Sequence, residues 1–295
     1  MSRQEFRRAC ITCQRNVLDS ERLDELLQEA RHLESHAESL NVGHSNYLHV
    51  KPFVFTKTTA PWPDQRWRLP DLYHSAAFTQ QIAQIVGAVL QHMPLAEDPR
   101  FEINCKLNYY RFYPDNPSRT KLGWHYDRTD QVQGRVVVVV LTLENELDAY
   151  LSGQPAAKRD TAVPILSFFP VDQPLTKCSL YLSANSISVH DPERVFHRAN
   201  PINVKSLLTP AQISQHKQDT GRDYFRRTIF VMKYTTDNTP KSLLNSSLGK
   251  AAFVGRSLTG YAKLNVAGAA AAVASLLGIV VLIVLLSQRR KQTPK

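Results

Sequence analysis

The sequence predicts a mainly β domain, a sandwich or barrel with helices packed ahead of it, and one transmembrane helix near the C-terminus. Three observations lead there. Between Phe101 and Tyr234, short apolar runs rich in β-branched and aromatic residues are separated by polar connections, as in a sheet protein with many brief strands. Helical periodicity is confined to the residues before that region. After it, Leu264 to Gln288 carries no charge, and roughly 20 such residues cross a bilayer as a helix.

Composition narrows the class. The 295 residues are 43% hydrophobic and 21% charged, which excludes wholesale disorder. The net charge of +10, partly from Arg289, Arg290, Lys291 and Lys295, suits an anionic substrate or a membrane surface. Four cysteines make no disulfide framework in a chain this long. Cys10-x-x-Cys13 has no second ligand pair nearby and reads as two ordinary thiols. The N-terminus has no apolar core and is not a secretory signal.

In chain order, Asp19-Ser20 opens a helix through Leu23, Leu26, Leu27, Ala30 and Leu33, with Leu40 a further candidate. From Asn41 to Pro70, aromatic residues and prolines predict short strands and loops. His74 to His92 is again helical and stops before Pro94. Phe101 to Tyr113 is strand-like and ends in the turn Pro114-Asp115-Asn116-Pro117. Arg135 to Leu143, five valines within it, predicts a strand buried on both faces. Pro164 to Pro170, Ser179 to Ser183 and Phe225 to Tyr234 read as further strands, and Asn203 to Asp223 as a polar inserted loop. The divisions are thus 1–100, a helical and extended support region packed on the core; 101–235, the core; 236–263, a tether; 264–288, the membrane helix; and 289–295, a short basic tail.

Chemistry concentrates in Gly123-Trp124-His125-Tyr126-Asp127. Residues i and i+2 of extended chain share a face, so His125 and Asp127 converge on one point. Imidazole with carboxylate is two thirds of the facial triad that holds non-haem Fe(II) with positions left open. Trp124 and Tyr126 point the other way and read as packing.

Tyr113-Pro114, Gly-Trp-His125-Tyr-Asp127, the valine strand, Val-Phe-His197-Arg-Ala-Asn-Pro201 and Arg226-Arg-Thr-Ile-Phe-Val231 occur in that order. Together they resemble the Fe(II)- and 2-oxoglutarate-dependent dioxygenases, over about residues 100 to 235, in the prolyl-hydroxylase-like and AlkB-like branches. The resemblance implies a double-stranded β-helix, or jelly roll, and a catalytic metal triad of His125, Asp127 and His197. His190, directly before Asp191-Pro192, is the other candidate third ligand and reads as a loop-tip residue. The resemblance further implies an Arg for the distal carboxylate of 2-oxoglutarate, either Arg226, with Thr228 on the same face, or Arg227, paired with Lys233 as in the AlkB-like branch; Arg226 is preferred. Tyr113 matches a tyrosine that hydrogen-bonds the cosubstrate. AlkB-like proteins carry Asn two residues before it, where this chain has Arg111; Asn108-x-Tyr110 restores that pattern in a shifted register. Fe(II), 2-oxoglutarate and O2 are the implied cofactors, with ascorbate allowed, and the implied reaction is hydroxylation with release of succinate and CO2.

The expected partners are 2-oxoglutarate, a protein or small-molecule substrate, and a lipid bilayer. The span so near the C-terminus reads as a tail anchor with the catalytic domain facing the cytosol, its short basic tail favouring mitochondrial outer membrane or peroxisome over ER. Two other classes compete: an AlkB-like demethylase of alkylated nucleic acid, compatible with the basic charge, and an inactive membrane-tethered β-helix binding module.

Overall fold

The computed structural model describes residues 11–42, 45–49, 106–127, 136–153, 165–171, 173–235 and 255–265. The predicted helix His74–His92 lies outside them, as do most of the tether and the apolar run 266–288.

Two antiparallel sheets face each other. The larger has strand order β1-β9-β6-β11-β4-β3-β2 and the smaller β5-β10-β7-β8. The strands are β1 (Ile11–Arg15), β2 (Glu38–Val42), β3 (Ser45–His49), β4 (Lys106–Phe112), β5 (Leu122–His125), β6 (Val136–Asn145), β7 (Leu166–Phe169), β8 (Cys178–Leu180), β9 (Ser186–His190), β10 (Phe196–Ala199) and β11 (Phe225–Thr235). From β4 to β11 the outermost strands in sequence pair first. β4 lies beside β11, β5 beside β10, β6 beside β9 and β7 beside β8. This nested pairing across two sheets is the jelly roll that the motif order implies.

Strand β6 explains why the large sheet is covered on both sides. Val137, Val139, Leu141 and Leu143 pack outward against helix α1 (Ser20–Leu33), through Leu26, Ala30 and Leu33. Val138 and Val140 face inward. A run of β-branched residues suits a strand buried on both faces. The Asp19 side chain caps α1 by accepting from the Arg22 amide at 2.9 Å, a contact worth about 1 kcal/mol. Tyr109 donates its hydroxyl to the Ala30 carbonyl at 2.6 Å and so ties the helix to β4.

Four expectations change. Leu40 does not extend α1, because the backbone turns extended at Ala37 and Leu40 enters β2. His190 is not at a loop tip; it ends β9, paired with Val138 of β6. The insert 203–223 is not a plain loop. Helix Pro210–Thr220 forms there, opened by a reciprocal Thr209–Gln212 capping box with Pro210 in the first turn and closed by Gly221 at φ 69°. Its buried His216 stacks on Phe225, ring centroids 3.9 Å apart, so the insert packs against the start of β11. The tether also changes: residues 255–265 are helical and dock on the small sheet. Tyr261 donates to the Trp124 carbonyl at 2.9 Å, Arg256 meets Glu193 at 3.6 Å, and Leu264 joins the Trp124–Phe169–Phe196 cluster. Among the described residues no helix is long and apolar enough to cross a membrane.

Candidate metal centre

His125 is the last residue of β5, and β10 places His197 directly opposite it in register. Their ring centroids lie 4.3 Å apart. Asp127 follows two residues later, so its carboxylate returns to the same side of the chain. One donor atom from each of His125, Asp127 and His197 lies within 4.8 Å of the others.

Hydrogen bonding fixes how the imidazoles are presented. The Nδ1 of His125 lies 2.7 Å from the Gly123 carbonyl and that of His197 lies 3.1 Å from the Val195 carbonyl. A carbonyl only accepts, so each Nδ1 carries the proton and each Nε2 keeps a lone pair. Those Nε2 atoms stand 3.9 and 3.6 Å from the carboxylate oxygens of Asp127. Burial lowers the pKa of His125. Burial, with His125 and His190 nearby, holds His197 well below the ordinary imidazole range. For Asp127 burial opposes ionisation, but Lys233, the His190 hydrogen bond and the two imidazoles outweigh it and hold the carboxyl well below its usual range. Two neutral imidazoles and a carboxylate, with their outer nitrogens anchored to backbone, fit Fe(II).

A fourth side chain completes the cluster. His190, 3% exposed, places Nε2 3.1 Å from the Asp127 carboxylate. Its ring centroid is 4.5 Å from that of His197. It holds the same carboxylate oxygen that faces His197. The turn signal Asp191-Pro192 concealed this role, because the strand ends at the histidine itself.

The triad opens onto a cavity between the sheets. Alternation along β4 turns Lys106, Asn108 and Tyr110 into it, while Leu107 and Tyr109 pack outward under α1. Across from Tyr110, in register, stands Arg227 of β11. Arg227 is 2% exposed, its guanidinium lies 5.5 Å from the Tyr110 ring centroid, and it donates to the Thr142 hydroxyl at 3.5 Å. Burial pulls its pKa down to about 10, which leaves it cationic at neutral pH.

Arg226 faces the other way. It pairs with Glu34 at the end of α1 at 3.0 Å and approaches Glu144 at 3.8 Å. Thr228 shares its face, as expected, but that face is the outer one, where its hydroxyl donates to Glu144 at 3.3 Å. Only one of two adjacent strand residues can enter the cavity, and it is Arg227. Tyr113 is also outside. It packs against Tyr224 and Arg119 beside a separate surface pocket. Continuing the β4 alternation from Tyr109 through Arg111 would have placed Tyr113 on that outer face.

No family model matches the sequence, and no curated protein is significantly similar to it. Solved structures are similar in fold. An oxidoreductase of the 2OG-Fe(II) oxygenase family from Burkholderia pseudomallei superposes with TM-score 0.51 at 12% identity, covering 81% of this chain and 92% of that one. The non-haem α-ketoglutarate-dependent carbocyclase SnoK of nogalamycin biosynthesis gives TM-score 0.51 at 13% identity, over 84% and 89%. The chain has the 2OG-Fe(II) oxygenase fold. Within that fold, β5 carries His125, the residues just after it carry Asp127, β10 carries His197, and β4 and β11 form the opposite wall of the cavity.

Proposed function

We propose that the chain is an Fe(II)- and 2-oxoglutarate-dependent oxygenase that hydroxylates a C–H bond of a protein side chain or small molecule. One observation carries this reading: His125, Asp127 and His197 converge on a cavity whose far wall holds the buried Arg227. Iron held there supplies oxygen activation coupled to decarboxylation, so that substrate, 2-oxoglutarate and O2 become hydroxylated product, succinate and CO2.

The chain's own part is binding, orientation and exclusion of water. His125 and His197 present Nε2 without a proton to lose, and Asp127 arrives ionised, so metal entry releases no proton from these groups. The Arg227 fork meets the distal carboxylate of 2-oxoglutarate, with the Tyr110 hydroxyl as a second donor. Asn108, whose buried Oδ1 lacks a hydrogen-bond partner, stands between that anchor and the metal. Val138, Val140, Ile229 and Val231 keep the reacting centre dry. The test is succinate formation by purified full-length protein supplied with Fe(II), O2 and 2-oxoglutarate. A yield no higher than that of His125→Ala overturns the reading.

A second substrate class draws on one observation. Asn108-x-Tyr110 lies in the cavity opposite Arg227, with Lys233 six residues on, which is the AlkB-like arrangement in the shifted register. Stimulation of succinate release by methylated oligonucleotide, and not by unmethylated, would select the nucleic-acid demethylase. We propose further that the apolar run from Val266 to Leu286 attaches the domain to a bilayer, supported by its length and lack of charge. Retention in the membrane pellet after alkaline extraction tests it, with the chain ending at 265 as control.

A further inference from the structure

Among the described residues two cations line the metal cavity, and 2-oxoglutarate accounts for one. Arg227 and Lys106 sit at opposite ends of the same wall, since Arg227 pairs with Tyr110 and Lys106 pairs with Val231, four residues along each strand. Lys106 is at the metal end. It pairs with Val231 of β11, two residues from Lys233, whose β6 partner Val138 also pairs with His190, the residue bonded to Asp127. Among the described residues, the Lys106 Nζ meets the Tyr47 hydroxyl at 3.4 Å and lies 5.7 Å from that ring's centroid, with no carboxylate in ion-pair range. Lys106 is half-buried, and an ammonium held partly out of water without a counter-charge is unfavourable until something pairs with it.

Charge matching shows what is missing. With a divalent metal and the dianionic cosubstrate in place, Asp127 and the chelating end of 2-oxoglutarate oppose the metal, and the distal carboxylate opposes Arg227. Lys106 alone of the two lining cations is left over, and Lys233 adds to the positive field around Asp127. The wall between Lys106 and Arg227, with Asn108 and the aliphatic Val138, Val140, Ile229 and Val231, faces the cosubstrate.

We propose that Lys106 is the subsite for an anionic group, a carboxylate or a phosphate, carried by the substrate that is oxidised. The lysine holds that group beside the metal, at the end of the wall away from Arg227. A point charge on a flexible stem accepts either anion, whereas a neutral amide leaves the ammonium unpaired. This rests on the oxygenase reading and deepens it.

The experiment uses full-length protein in detergent, loaded with Zn(II) and N-oxalylglycine so that Arg227 is occupied. Binding of butyrate, propyl phosphate and butyramide is followed by saturation-transfer NMR. The expected result is binding of at least one anion tenfold or more tighter than butyramide, with the preferred anion identifying the group. Lys106→Gln removes that preference and Lys106→Arg keeps it, while both variants still bind N-oxalylglycine and so are folded. Equal binding of anions and amide by the native protein, or an unchanged preference in Lys106→Gln, overturns the proposal. If N-oxalylglycine itself does not bind, the oxygenase reading fails separately. The same comparison is then made between Arg227→Gln and the Lys106→Gln, Arg227→Gln double variant, with the same two outcomes.

Discussion

Replacing Arg227 by Gln separates the two arginines that the sequence left in competition. Arg227 lies in the cavity wall and Arg226 lies against Glu34 on the outer face. A charge-assisted hydrogen bond is worth about 1.5–3 kcal/mol. Losing a bidentate pair, with Tyr110 still in place as a donor, should therefore cost about 3–4 kcal/mol, or two to three orders of magnitude in 2-oxoglutarate affinity. Arg226→Gln should leave that affinity within about threefold and instead lower Tm by a few degrees, since Glu34 keeps its 2.9 Å pair with Arg111. Titration of 2-oxoglutarate into Mn(II)-loaded protein, followed calorimetrically, reads both variants on one scale. In metal-free protein Arg227→Met should raise Tm, because a cation whose pKa burial has lowered is a cost to the folded state. Loss of cosubstrate binding in Arg226→Gln with retention in Arg227→Gln would refute the assignment.

Further outcomes follow from the same geometry. His190→Ala should weaken Fe(II) or Mn(II) binding by about 10- to 100-fold without removing a ligand, with His190→Gln intermediate, as measured by competition with a metallochromic chelator. The folded-state pKa values of His125 and His197 are depressed, so the unfolded chain binds more protons just below its own imidazole pKa. Metal-free protein should accordingly lose stability as pH falls below about 6.5, and metal should shift that loss to lower pH, as seen in urea titrations across pH. Thr209→Ala removes the cap of Pro210–Thr220 and should cost about 1 kcal/mol, a Tm drop of roughly 2–4 °C by calorimetry. A Cβ on Gly260 would lie 2.7 Å from the Phe196 ring. Gly260→Leu should therefore release helix 255–265 and speed proteolysis there, which limited trypsin digestion reports.

What the sequence revealed follows from how local each signal is. The valine run, the His-x-Asp pair and the apolar approach to His197 are short-range patterns, and each lies where a strand of the jelly roll requires it. The Asp19 cap was equally readable. Facing was harder. Arg226 and Arg227 differ only in which side of β11 they occupy, and that register is set by β4 and by Glu34, far away in sequence. Tyr113 misled because its neighbouring proline suggested a family position, while strand alternation from Tyr109 puts it outside. His190 was hidden by the turn that follows it; only the pairing of β9 with β6 brings it to Asp127. The helix after Thr209 carried a readable Thr-Pro-x-Gln cap that the surrounding polar residues obscured. Lys106 carries no motif of its own, and only the fold places it on the wall of the metal cavity.

The central claim is that His125, Asp127 and His197 together present Fe(II) to 2-oxoglutarate held by Arg227. Its most direct test is anaerobic: add Fe(II) and then 2-oxoglutarate to the full chain and record the visible spectrum for the metal-to-ligand charge-transfer band of the chelated 2-oxo acid. The account predicts a band with the native chain and none with His197→Ala. Absence of the band in the native protein, or its full persistence without His197, would contradict it.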